Sequence, residues 1–143
     1  MAPSDSPLIQ PKDINSRKSI IIDARSGPGA YERFKTNHLE GAFYVDLDED
    51  LSKKPRDPAY GGRHPLPDLK DFGILLGKLG ITPTSHVVVY DDKSGANAAA
   101  RFWWMLRAVG HTSVQVVDGG FDSIVREKLP MSSSLSVPNA ATP

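Results

Sequence analysis

The residues of this sequence best placed to do chemistry are acids that follow short apolar runs. Asp23 closes Ser19-Ile20-Ile21-Ile22, Asp46 follows Phe43-Tyr44-Val45, and Asp91-Asp92 follows His86-Val87-Val88-Val89-Tyr90. If these runs are strands of an open α/β sheet, the acids stand at strand carboxyl ends, where such sheets form their sites. Asp91 is the most informative of them. It opens Asp91-Asp92-Lys93-Ser94-Gly95-Ala96 just ahead of a helical period. A short Gly-containing turn there points backbone N–H groups inward, and the helix dipole adds positive potential, so the turn suits an anion. Two readings of Asp91 follow. It is the anion itself, capping loop and helix, or it is an aspartyl nucleophile of the phosphotransfer kind, which would call for Mg²⁺. Perturbed acids are often structural, which favours the cap.

The chain contains no cysteine. Disulfides, thiolate metal sites and thiol nucleophiles are therefore excluded, and neither a metal ion nor a cofactor is expected. Its 143 residues suit one domain with a hydrophobic core, and 39% hydrophobic with 24% charged residues is ordinary for a globular protein. A net charge of zero offers no footprint for nucleic acid or an anionic membrane surface. No stretch approaches the roughly 20 apolar residues of a membrane span, and Met1 to Lys12 lacks a signal-like apolar run. A soluble, cytoplasmic protein is the expectation.

The elements that would position the acids are legible as alternating patterns. The three runs above and Val114-Gln115-Val116-Val117 are short and mostly continuous, as strands covered on both faces are. Leu8-Ile9 is a fainter fifth. Leu69, Phe72, Leu75, Leu76 and Leu79 share a helical face, opened by Asp68 and closed by Gly80. Ala99, Phe102, Trp103, Leu106 and Val109 mark a stronger helix ending at Gly110, and Pro28 to Asn37 and Phe121 to Lys128 mark two shorter ones. The alternation predicts an α/β sandwich with a mainly parallel sheet. Residues 46–67 read as a long surface loop of the kind that is often functional. Residues 1–130 form the expected domain, and 131–143, small, polar and Pro-containing, read as the start of an interdomain linker or a disordered tail. Trp103 and Trp104 must face differently on one helix, one to the core and the other towards a partner surface.

Several motifs taken together resemble the rhodanese family. They are Ile22-Asp-Ala-Arg25, His38-Leu-Glu-Gly-Ala42, Val87-Val-Val-Tyr-Asp91-Asp-Lys-Ser-Gly95, Ala98-Ala-Ala-Arg101-Phe-Trp-Trp-Met-Leu-Arg107 and Val117-Asp-Gly-Gly-Phe121. The resemblance runs from about Ile20 to Phe121. It implies a three-layer fold with a five-stranded, mostly parallel sheet and helices on both faces. It also places Asp91 where the family carries its sulfur-binding cysteine. The Tyr-Asp loop and the Trp-Trp helix resemble the N-terminal, cysteine-free domain of tandem thiosulfate and 3-mercaptopyruvate sulfurtransferases. The partner so implied is a C-terminal rhodanese domain of the same polypeptide, and the substrate a small anionic sulfur compound. In mercaptopyruvate-type members an acid and a loop histidine of this domain are implied to reach the partner's active site; Asp48 and His64 match by position. The commoner fates are a capping acid for Asp48 and an exposed, proline-ordered loop histidine for His64. Arg25 and Arg63 are candidates for steering anionic substrate, though ion-paired or surface arginines are commoner. His38 is read as structural, fixing its turn by hydrogen bonding. A stand-alone rhodanese-homology module used for binding or regulation is the rival reading, and a phosphotransfer domain built on Asp91 a third.

Overall fold

The computed structural model describes residues 7–14, 18–25, 29–45, 69–92 and 98–133. Five strands form one sheet: β1 (Leu8–Ile9), β2 (Ser19–Asp23), β4 (Phe43–Tyr44), β5 (His86–Tyr90) and β6 (Val114–Val117), in the order β1-β6-β5-β2-β4. Every pairing in it is parallel, and Ser19 to Asp23 lie in register with His86 to Tyr90. Both faces of such a sheet must be covered, which is why its strands are apolar throughout.

Side chains alternate between the two faces. Ile22, Val87, Val89, Val114 and Val116 pack under α2 (Leu69–Lys78) and α3 (Ala98–Ala108), with Phe72 and Phe102 meeting edge to face at 6.1 Å. Ile21, Val88, Tyr90 and Val117 pack under α1 (Ala30–Thr36) and α4 (Gly120–Arg126), through Phe34 and Ile124. The three-layer α/β sandwich and the fainter strand at Leu8-Ile9 are both present.

Helix ends follow their signals. The amides of Gly80 and Ile81 return to the carbonyls of Gly77 and Leu76, and those of Gly110 and His111 to Arg107 and Leu106. Lys128 and Leu129 close α4 in the same way, with Lys128 at φ 59 in the left-handed region. Two short strands, β3 (His38–Leu39) and β7 (Met131–Ser132), form a separate antiparallel pair. Composition alone assigns residues 131 and 132 to the tail; pairing with β3 satisfies their backbone and carries regular structure past the expected boundary at 130. Residues 134–143, and with them the rest of the expected linker, lie outside the described residues. So do Asp46 and the expected loop 46–67. Among the described residues no helix is long and apolar enough to cross a membrane.

Candidate functional site

The carboxyl ends of β2 and β5 bring Asp23, one of the predicted acids, together with Arg25 and Tyr90 in a buried cluster. Register sets Asp23 beside Tyr90, and the Tyr90 hydroxyl donates to Asp23 Oδ2 at 2.7 Å. Arg25, two residues past the strand end, returns its Nε to both Asp23 oxygens at 3.2 and 3.0 Å and its NH2 to Oδ2 at 2.9 Å. The same NH2 donates to the Asn37 carbonyl at 2.7 Å, and the guanidinium carbon stands 4.1 Å from the centre of the Phe121 ring. The Tyr90 hydroxyl also accepts the Leu39 amide at 3.1 Å. A buried ion pair is tolerable only with this density of partners. Asp23 is 0% exposed and Arg25 3%. Arg25 therefore takes the ion-paired fate, its charge matched inside the protein rather than displayed to a cleft. Burial, reinforced by the Asp23 charge, raises the Tyr90 pKa well above the ordinary tyrosine value.

Asp91 is likewise 0% exposed. Its Oδ2 accepts the amide of Ala99, in the first turn of α3, at 2.9 Å, and its carbonyl accepts the Phe121 amide at 2.8 Å. One of the amides left unpaired at the start of a helix is thus satisfied by a carboxylate eight residues upstream. The anion at this helix end is the protein's own, as the capping reading expects. Asp92 turns the other way and pairs its Oδ2 with Arg33 of α1 at 3.1 Å, at the surface. Arg33 carried no sequence signal, because its partner is 59 positions away.

His38 is fully buried, its Nδ1 donating to the Phe34 carbonyl at 2.7 Å and its ring stacked 4.1 Å from that of Phe34. This matches the structural role read for it. Trp103 is half-buried against the α2–α3 layer, with its indole N–H on the Val114 carbonyl at 3.1 Å, while Trp104 stays 51% exposed. Asp48, Arg63 and His64 lie outside the described residues, so the structure brings none of them to the cluster. Among the described residues no His, Cys, Asp and Glu group has a metal-binding arrangement.

A parallel three-layer α/β domain in which a carboxylate at a strand end caps the following helix is the class that fold and site define. The family profile described as Rhodanese-like domain matches residues 9–127, and the chain belongs to that family. It is 39% identical over 129 residues to the 3-mercaptopyruvate sulfurtransferase of Mus musculus, covering 85% of this chain and 41% of the relative. Against the thiosulfate sulfurtransferase of Gallus gallus it is 38% identical over 127 residues, covering 85% and 42%. The solved structure of 3-mercaptopyruvate sulfurtransferase from Leishmania major superposes with a TM-score of 0.88 at 29% identity, covering 96% of this chain and 40% of that one. The chain thus spans about two fifths of the length of these relatives.

Proposed function

We propose that this chain acts as the cysteine-free rhodanese domain of a two-domain sulfurtransferase. In that protein a second, C-terminal rhodanese domain carries the persulfide and moves sulfane sulfur from thiosulfate or 3-mercaptopyruvate to cyanide or a thiol. The observation that carries the reading is the bond from the Ala99 amide to Asp91 Oδ2, at the position where the family resemblance puts the reactive cysteine. A thiolate is a soft nucleophile that attacks sulfane sulfur and keeps it covalently. A buried carboxylate already bonded to a helix end forms no persulfide and repels an anionic donor. Asp91 keeps an architectural role at the start of α3 and leaves the chemistry to the partner.

On this reading the domain shapes one wall of the interdomain cleft and contributes its electrostatics. Asp48 and His64 reach towards the partner's site, Arg63 steers the anion, and Trp104 supplies apolar surface for docking. Burial of Asp91 also weighs against the phosphotransfer alternative, since an aspartyl nucleophile needs an oxygen open to the phosphoryl donor.

The test is direct. Purified chain assayed with thiosulfate and cyanide is expected to give no thiocyanate above the buffer blank, and measurable turnover overturns the proposal. The reading frame beyond Pro143 is expected to encode a second Asp-x-Arg, His-x-x-Gly-Ala and a Cys-containing loop. A stop codon there would favour the stand-alone binding module instead.

A further inference from the structure

The amino ends of the same strands carry a second constellation that sulfur transfer does not use. Ser19 of β2 and His86 of β5 are register partners, so their side chains leave the same face of the sheet side by side. Ser19 Oγ lies 2.7 Å from His86 Nδ1, and His86 Nε2 lies 2.9 Å from Gln115 Oε1. Gln115 Nε2 in turn donates to the Leu8 carbonyl at 3.2 Å. That last bond orients the whole row. With the amide nitrogen turned to β1, the amide oxygen faces His86 and can only accept, so Nε2 carries the imidazole proton. In the neutral imidazole Nδ1 is then a lone pair that accepts the Ser19 hydroxyl, 2.7 Å away. A hydroxyl, a base within hydrogen-bond reach and a third group fixing the base's tautomer are the parts of an activated serine. Ser19 and His86 are half-buried and retain solvent access, whereas Gln115 is buried.

We propose that Ser19 is a base-activated nucleophile that takes the acyl group of an activated carboxylic ester, with His86 as base and Gln115 as the positioning residue. Ser19 Oγ bonds the carbonyl carbon as its proton passes to His86 Nδ1. The ester C–O bond breaks, and the departing alkoxide takes that proton from the imidazolium. Water, deprotonated by the same nitrogen, then releases the carboxylic acid and restores the serine. The imidazolium forms in both steps, but the acyl-serine is a poorer acyl donor than the activated ester, so release is the slower step and the acyl-serine accumulates.

The experiment treats the full chain with p-nitrophenyl acetate, following nitrophenolate release together with intact and peptide masses. The expected result is a stoichiometric burst with the acetyl group on Ser19. Ser19→Ala abolishes the burst, and His86→Gln slows it by about 10²-fold. Gln115→Leu slows it as well, while Gln115→Glu restores or exceeds the original rate, a rescue that a purely structural glutamine would not show. Circular dichroism confirms that each variant is folded. The unsubstituted chain is decisive by itself: no burst, or acetylation confined to lysines, overturns the proposal, as does a burst that survives in folded Ser19→Ala.

Discussion

At the carboxyl edge of the sheet Asp23, Arg25, Tyr90 and Asp91 are all buried, and each is charged or bonded to a charge. At the amino edge Ser19, His86 and Gln115 form a hydrogen-bonded row, two of the three half-buried. The difference is one of mutual dependence. A charge removed from water must be met by a partner, so Asp23, Arg25 and Tyr90 need one another, and Asp91 needs the amide of Ala99. A hydrogen-bonded row near solvent can lose a member and let water replace it. The edge where this fold builds its sites is thus the more tightly constrained one.

The largest effect expected from that contrast is at Arg25. Arg25→Ala leaves Asp23 charged and unpaired at full burial, and should cost about 3–5 kcal/mol in urea unfolding. A cost below about 1 kcal/mol would break the comparison, because it would mean that water reaches Asp23. Next comes Gly119, at the turn from β6 into α4 on the same edge. Its φ is +83, and an added Cβ would stand 2.7 Å from Ser123 Cβ. Backbone strain and overpacking together predict a loss of about 2–4 kcal/mol for Gly119→Ala, read as a lowered Tm.

Tyr90→Phe should cost less, about 1–3 kcal/mol, by leaving Asp23 Oδ2 and the Leu39 amide each short of a partner. It also sharpens the comparison through pH. The Tyr90 pKa is raised in the fold, first by burial and then by Asp23. The unfolded chain therefore releases this proton before the folded one does. The stability linked to it is fully present below the unfolded tyrosine pKa of about 10, and is lost as pH rises from there towards the folded value. Denaturation midpoints measured at rising alkaline pH should fall in the parent and fall less steeply in Tyr90→Phe.

Much of this was legible in the sequence, and what escaped had a common cause. The apolar runs marked β2, β4, β5 and β6, Gly80 and Gly110 marked two helix ends, and Asp91 was readable as a cap because its helix follows within a few residues. These are local signals. The Asp23–Tyr90 bond and the Ser19–His86 pair depend on the register of β2 against β5, 67 positions apart, and no local pattern reports register. Arg25 was legible as a charge but not as a buried one, since its partners Asn37 and Phe121 arrive from other elements. The pair β3–β7 was missed because neither His38–Leu39 nor Met131–Ser132 is an apolar β-rich run, and their pairing joins distant parts of the chain.

The smallest expected effect lies at the end of α4, and its sign differs from the rest. Lys128 occupies the left-handed position that closes the helix, at φ 59, with its side chain exposed. An L-residue there costs about 1–2 kcal/mol, while glycine's extra freedom in the unfolded chain costs about 0.5–1 kcal/mol. Lys128→Gly should therefore raise stability by about 0.5–1 kcal/mol in the same urea titration, without changing the slope. Gly119 and Lys128 bracket one helix in the same backbone region, yet substitution should lower stability at the first and raise it at the second. Only Gly119 has Ser123 packed against the space a side chain would fill. A loss in Lys128→Gly would mean that the lysine side chain holds the end of α4 through contacts of its own, and that the tight constraint seen at the carboxyl edge extends to this helix end.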